Sequence, residues 1–318
     1  MQSEQQEKST TKMSSVAILL CTLRGHDYLR EQLDSIVRQT HPSWAVWVSD
    51  DGSDHSTHAI LEDYQEKLGS SKFTILCGPA QGFAANFLSL ACNASIGADY
   101  YAYADQDDIW EPEKLELALQ WLESMPADVP TLYCARTRKV DSDNQDLGFS
   151  ELWTRPPSFA NALVQSIASG NTMVFSSAAR NLLVAAGPNM EVAAHDWWTY
   201  QLVSGGGGRV FYDSRPTVRY RQHRANLIGT NGTWSARFHH TRMLLQGRFR
   251  NWNQMNVTAL NAMREHLTAE NQVRLDEFSR ARQGSIFARM AAFQRSVVYR
   301  QTWLGNLGLV AAVILKKL

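Results

Sequence analysis

Short apolar runs alternate with helix-patterned stretches through the first hundred residues, and this alternation constrains the fold more than any other feature. The runs cover residues 16–20, 44–48, 73–76 and 100–104. Each is uncharged and too short for a typical helix, so each reads as a buried strand. Between them, Tyr28, Leu29, Leu33, Ile36 and Val37 recur at helical spacing, as do Ile60, Leu61, Tyr64 and Leu68, and then Phe83, Phe87, Leu90, Ala91 and Ala94. Ser53 or Asp54 is placed to cap the second of these helices. Strands and helices of these lengths imply βαβ units with right-handed crossovers and a largely parallel sheet. In such sheets ligands bind beyond the C-terminal ends of the strands.

Two acidic clusters fall at such ends. Asp50-Asp51-Gly52-Ser53-Asp54 follows the second run, and Asp105-Gln106-Asp107-Asp108-Ile109-Trp110 follows the fourth. Asp105 and Asp107 share a face if the chain stays extended. Paired carboxylates suit Mg2+ or Mn2+, cations that keep several waters and complete their shells with substrate phosphates. The alternative for either cluster is a solvated turn. Both pointing into one crevice favours a site.

Further along, Pro112 stands near the start of a helix carrying Leu115, Ala118, Leu119 and Leu122. A strand near 132–135 leads into a hairpin turning at Asp143-Asn144. Residues 172–175 read as another strand, and a helix through Leu182-Leu183 stops at Gly187-Pro188. His195-Asp196-Trp197-Trp198 opens a helix, followed by four glycines (205–208) and a strand at 210–212. The glycine run follows a helix and precedes a strand, the reverse of a dinucleotide-binding loop. That argues against a Rossmann dehydrogenase.

With 318 residues, 31 Lys+Arg and 31 Asp+Glu, the chain can bury a sizeable core and is not built mainly for nucleic acid. Its charge is uneven. From Arg209 to the end there are 18 Lys+Arg against 5 Asp+Glu, which calls for an anionic partner or a membrane surface. Cys21, Cys77, Cys92 and Cys134 form no C-x-x-C pair, which points to a reducing, cytoplasmic compartment and no zinc site. The first fifteen residues are polar and lack the apolar stretch of a signal peptide.

From Trp234 onward the pattern is helical and Arg-rich. Phe238, Met243, Leu244, Leu245, Phe249 and Trp252 are interleaved, then Phe287, Met290, Phe293, Val297, Tyr299 and Trp303. The uncharged stretch 304–315 ends in Lys316-Lys317; as a helix it would be ~18 Å long, against ~30 Å of bilayer hydrocarbon. It reads as a peripheral attachment to the anionic inner face of the cell membrane, with a helical homo-oligomer contact as the alternative. The expected organisation is a disordered leader (1–15), an α/β domain (16–230) and a basic helical C-terminal region (231–318).

The order of motifs resembles the family 2 glycosyltransferases of GT-A fold. The resemblance rests on residues 16–22, Tyr28-Leu29 with Glu31-Gln32-Leu33-Asp34-Ser35-Ile36, Gln39-Thr40, and both acidic clusters. Gly82 with Asn86-Phe87, and Ser169-Gly170-Asn171-Thr172, continue it. His195-Asp196-Trp197-Trp198 and Tyr220-Arg221-Gln222-His223, with Asn226 and Gly229, are similar to its rhamnosyltransferase-like subgroup. One departure stands out: the loop Leu23-Arg24-Gly25-His26-Asp27 lacks the Asn-Gly common after strand one.

The resemblance implies a Rossmann-like, mostly parallel central sheet with flanking helices, a nucleotide-sugar donor and a divalent metal. Thr22 and Asp51 would line the nucleoside pocket, Asp51 accepting the N3–H of uracil or thymine. Asp107 would hold the metal, Asp105 would contact ribose or metal, and Asp108 would support them. Gly170, Asn171, Trp198 and Arg221 would contribute to the nucleotide-sugar site. Asp196 is the candidate general base, or else the helix cap. His195 orients Asp196, binds acceptor or is structural. His223 completes the metal shell, binds diphosphate or is structural, with Arg219, Arg221 and Arg224 as phosphate partners. Trp110, Trp197 and Trp198 are either sugar-stacking walls or core.

These readings combine into an inverting transfer of rhamnose or another hexose from a dTDP- or UDP-sugar. The acceptor would be a hydroxyl of a cell-surface polysaccharide or its lipid-linked precursor. Alternatives are a UDP-hexose-specific transferase and a non-catalytic nucleotide-sugar-binding partner in a membrane-bound assembly. A nucleotidyltransferase is disfavoured, because 23–27 supplies no glycine-rich, lysine-bearing loop.

Overall fold

The computed structural model of the protein describes residues 13–223 and 248–318. Its centre is a nine-stranded sheet in the order β3-β2-β1-β4-β8-β6-β9-β5, with β7 paired to β6. The first four strands are β1 (Val16–Thr22), β2 (Trp44–Asp50), β3 (Phe73–Cys77) and β4 (Tyr100–Ala104), all parallel. They are separated by α1 (Leu29–Val37), α2 (His55–Leu68) and α3 (Phe83–Cys92). Asp54, not Ser53, caps α2, accepting from Thr57 N at 3.0 Å and Thr57 Oγ1 at 2.9 Å. A cap of this kind contributes about 1 kcal/mol.

The chain steps from β1 to β2 on one side, and returns through β4 on the other. The reversal leaves a crevice beyond the C-terminal ends of β1 and β4. The register matches Thr22 to Asp50 and Leu20 to Ala104, so both acidic clusters emerge beside the end of β1.

The second half of the sheet is mixed. It comprises β5 (Ile109–Trp110), β6 (Thr131–Val140), β7 (Asp146–Phe149), β8 (Val174–Ser176) and β9 (Arg209–Arg221). Short β8 lies antiparallel between β4 and β6, β6 runs parallel to β9, and β5 and β7 are antiparallel edges. Four helices accompany these strands: α4 (Lys114–Leu122), α5 (Phe159–Ala162), α6 (Ser177–Ala186) and α7 (His195–Gly205).

Period-two alternation sends β1 side chains to two cores. Val16, Ile18 and Leu20 meet Leu33, Ile60 and Leu115 under α1, α2 and α4. Ala17, Leu19 and Cys21 join a larger cluster with Phe87, Trp198 and Tyr200. That second cluster also takes in Leu260, Leu275, Phe278, Leu309 and Val313. These, with Ala292, come from α8 (Arg248–Ala262), α9 (Ala269–Ala281), α10 (Ile286–Ser296) and α11 (Trp303–Ile314), the helical C-terminal region anticipated from sequence. Those helices share the sheet's core. Among the described residues no helix is long and apolar enough to cross a membrane. The boundary expected at 230/231, most of the expected leader, and Trp234, Phe238, Met243, Leu244 and Leu245 lie outside the described residues.

Candidate active site

Three loops meet at the end of β1. Thr22 Oγ1 donates to Asp50 Oδ1 at 2.7 Å, and Asp50 Oδ2 accepts from Ser53 N at 2.9 Å. His58 Nε2 lies 3.2 Å from the same oxygen. Burial raises the pKa of Asp50, but the hydrogen bonds from Ser53 and Thr22 and the His58 charge outweigh it and hold the carboxyl below its ordinary value. Asp50 thus ties the turn together, and Thr22, expected to line the nucleoside pocket, has its buried hydroxyl committed to that tie. Asp51 differs. It is half-buried, and its Oδ1 accepts from Ala80 N at 2.8 Å. Gly78 permits this approach, since a Cβ there would stand 2.3 Å from Asp51 Oδ1. Of the two neighbours, Asp51 is the one able to meet a ligand.

The loop after β1 is fastened twice. Arg24 N donates to Ser53 Oγ at 2.8 Å. Gln106 grips Leu23 on both backbone groups, accepting from its N–H at 2.8 Å and donating to its carbonyl at 3.0 Å. Gln106 sits inside the second acidic cluster, so the loop after β1 and the acidic loop are pinned to each other. Sequence reading passed over Gln106 because the flanking carboxylates carry the recognisable chemistry.

Within that cluster the aspartates diverge in role. Asp107 is half-buried and its Oδ2 lies 2.7 Å from His223 Nε2, uniting the two expected metal ligands. Asp105 is pushed up to about 8 by burial first, then by the charges of Asp107 and Asp196. Asp108 is wholly buried and also raised, mainly by burial. Its Oδ2 accepts from Asn171 Nδ2 at 2.5 Å and its Oδ1 from Arg221 N at 3.2 Å. Behind it Lys114 is fully buried, its Nζ 3.8 Å from the Trp110 ring centroid. Burial lowers that ammonium to about 7, against the pull of Asp108.

Arg221 is not a free phosphate partner. Its Nε donates to the Asp107 carbonyl (3.0 Å), Nη1 to the Ser142 carbonyl (2.6 Å) and Nη2 to Glu31 Oε2 (2.7 Å). Its guanidinium lies 4.4 Å from the centre of the Tyr28 ring, which also meets His223 at 5.1 Å. Arg221 is therefore the brace of the acidic loop, an essentially buried fork satisfied by protein. Arg219 is likewise committed, to Glu111 at 2.9 Å. Arg224, Asn226 and Gly229 lie outside the described residues. Glu31 and Tyr28 were missed as site-supporting residues because their partners lie some 190 positions away.

Asp196 stands in the first turn of α7, two residues after the N-cap Ala194. The alternative of Asp196 as N-cap is therefore not what the helix uses. Its Oδ2 accepts from Gly170 N at 3.1 Å and its Oδ1 from Trp197 N at 2.6 Å. Burial raises its pKa against these two bonds, which strengthens it as a base while its side chain stays partly accessible. Gly170 and Asn171, expected to touch the nucleotide sugar, form instead a buried 3₁₀ turn (Gly170–Thr172). Gly170 holds Asp196 while the next residue holds Asp108, so one turn bridges the acidic loop and the candidate base.

His195 is structural. Its ring stacks on Phe87 at 3.9 Å and meets Tyr103 edge-on at 4.8 Å. Burial lowers its pKa to about 3, so it is neutral. The tryptophans resolve the same way: Trp198 is 0 % exposed, Trp110 2 % and Trp197 7 %, and Trp197 Nε1 donates to the Ala162 carbonyl. None of the three rings can stack on a sugar, which corrects the expectation for Trp198.

Comparison with known proteins agrees with this arrangement. The model of glycosyl transferase family 2 matches residues 17–181. The dTDP-rhamnosyl transferase RfbG of Shigella flexneri is 26% identical over 266 residues, covering 80% of this chain and 88% of that protein. The putative teichuronic acid biosynthesis glycosyltransferase TuaG of Bacillus subtilis is 30% identical over 107 residues, covering 34% of this chain and 41% of its own. Among solved structures, S. aureus TarS 1-349 in complex with UDP-GlcNAc has a TM-score of 0.53 at 14% identity, covering 89% of each chain. The mannosyltransferase PcManGT from Pyrobaculum calidifontis, in complex with GDP-Man and Mn2+, has a TM-score of 0.50 at 17% identity, covering 96% of this chain and 86% of that one. Because the matched family model spans over half of the chain and the sheet has the GT-A arrangement, the chain belongs to glycosyl transferase family 2 and is a rhamnosyltransferase-like glycosyltransferase.

Proposed function

We propose that the chain is an inverting, metal-assisted transferase. It moves rhamnose or another hexose from a dTDP- or UDP-sugar to a hydroxyl of a cell-surface polysaccharide or its lipid-linked precursor. The observation that carries this reading is the Gly170–Asn171 turn, whose Gly170 N–H holds Asp196 while Asn171 Nδ2 holds Asp108 of the acidic loop.

The pyrimidine reading rests on Asp51, whose carboxylate is able to accept the N3–H that thymine and uracil share and cytosine lacks. Asp107 and His223 would hold the cation, with Asp105 beside them. The fit is supported by their 2.7 Å approach, beside an Asp105 that burial first, and then the charges of Asp107 and Asp196, push up to about 8. Among the described residues no group of three His, Cys, Asp or Glu forms a ready cage. Mg2+ and Mn2+ do not need one when phosphate oxygens and water complete the shell. When bound, the cation neutralises the departing diphosphate.

The remaining chemistry belongs to the chain. Asp196 accepts the proton of the acceptor hydroxyl as its oxygen attacks the anomeric carbon opposite the leaving group, which inverts the configuration. The Gly170 and Trp197 amides orient that carboxylate. A rhamnosyl donor is favoured over a UDP-hexose by the similarity to the Shigella flexneri protein along most of both chains.

The test is a donor panel of UDP- and dTDP-sugars, assayed for transfer or hydrolysis with and without Mn2+, together with Asp107→Ala. The expected result is turnover with a dTDP-deoxyhexose, lost on chelation, and a fall of at least about tenfold in donor affinity in the variant. Metal-independent turnover, or undiminished binding by the variant, would remove the metal assignment.

A further inference from the structure

One face of α11 is apolar and open to solvent. α11 turns Leu309, Ala312 and Val313 into the core. Its opposite face is bare: Trp303 is 69% exposed, Leu304 59%, Leu307 54%, Ile314 44% and Leu315 59%. Positions 303, 304, 307, 311, 314 and 315 line one side of a helix. A surface helix ordinarily sets charge opposite its buried face; this one has none between Leu304 and Leu315. The bare surface continues onto α10. Arg289 donates to the carbonyls of Val313 (2.9 Å) and Ile314 (3.1 Å), which sets the first turn of α10 beside the last turn of α11. That turn carries exposed Ile286 and Phe287, the latter 85% exposed. Contiguous apolar surface of this kind marks an interaction site.

Charge selects the occupant. Residues 278–318 hold seven Arg or Lys and no Asp or Glu. Arg280 and Arg295 are answered by Glu277, and Arg289 is buried on carbonyls, but exposed Lys316 and partly exposed Lys317 follow directly on the bare face. A second copy of this face would bring like charge against like. An anionic phospholipid surface complements it.

We propose that α11 and the first turn of α10 dock the protein peripherally on an anionic phospholipid bilayer, with α11 lying in the interfacial plane. At twelve residues α11 runs about 18 Å along the surface. Trp303 anchors one end at headgroup level, and the two lysines meet lipid phosphates at the other. This docking does not depend on which sugar is moved, or on whether transfer occurs.

The experiment sediments the purified full-length protein with vesicles of phosphatidylcholine alone or mixed with phosphatidylglycerol. Two variants at exposed positions accompany it, Leu304→Gln/Leu307→Gln and Lys316→Gln/Lys317→Gln, with thermal melts to confirm folding. The wild-type protein is expected to partition onto the anionic vesicles and only weakly onto neutral ones. The lysine variant should lose about 25-fold in partitioning, roughly fivefold per lysine, and the leucine variant at least about tenfold. Absence of binding to anionic vesicles would overturn the proposal, as would unchanged binding by both folded variants. Concentration-dependent self-association abolished by the leucine variant, without vesicle binding, would make the face a contact between copies and overturn it too.

Discussion

Residues that are neighbours in sequence have opposite electrostatic fates here, because packing decides which carboxylate meets solvent. Asp50 is spent on Thr22 and Ser53 while Asp51 is left at the rim; Asp108 is spent on Asn171 and Arg221 while Asp107 faces His223. The sequence made the carboxylates and the Asp107–His223 pairing legible, since both are chemistry-bearing types in a motif. It misassigned Arg221, whose guanidinium is satisfied by partners on three distant segments, a fact that no local pattern encodes. His195 and Asp196 repeat the split, one neutral in the aromatic core and one available as a base. For His195 the sign of the pH effect is fixed: the unfolded chain binds a proton near pH 6.5, whereas the folded chain does so only near 3. As pH falls from about 6.5 towards 3, the unfolded state therefore gains a proton that the folded state lacks. Stability falls at up to about 1.4 kcal/mol per pH unit from this group. His195→Phe should flatten that acid limb in thermal melts recorded from pH 7 to pH 4. Parallel curves for variant and wild type would contradict the buried, neutral histidine.

At the scale of elements, β1 to β4 and α1 to α3 were legible because their apolar periods are clean and their connections short. β9 was foreshortened. Its thirteen residues include Pro216, which removes a ladder hydrogen bond, and the pairing with β6 shifts register between Ala135 and Thr137 to pass it. Two-residue β5 and four-residue α5 are too short for periodicity to register. The insertion of β8 antiparallel between β4 and β6 is a long-range pairing with no local signature. The Gly170–Thr172 turn is the element on which the site depends. A Cβ at Gly170 would stand 2.8 Å from His195 Nε2 and 3.3 Å from Asp196 Cβ, so the turn or the start of α7 must shift. Gly170→Ala should cost about 1–3 kcal/mol of stability and lower kcat at least about tenfold, with donor affinity nearly kept. A stable variant with wild-type kcat would show that this turn does not position Asp196.

For the whole molecule, one sheet separates two cores and gathers three loops at the reversal point beside β1. One core is closed by α1, α2 and α4; the other extends through α7 into the C-terminal helices. The loops proposed to bind the donor are thereby set on the parallel half of the sheet, while the candidate base comes from a helix seated on the second core. The proposed transfer requires both halves to present their groups to one crevice, and Asp196 is where that requirement is most exposed to test. The decisive measurement is single-turnover transfer by Asp196→Asn beside its donor affinity from calorimetry. Loss of at least about a thousandfold in transfer rate, with donor affinity within about threefold of wild type, is the expected result. Transfer at the wild-type rate by a folded Asp196→Asn protein would contradict it.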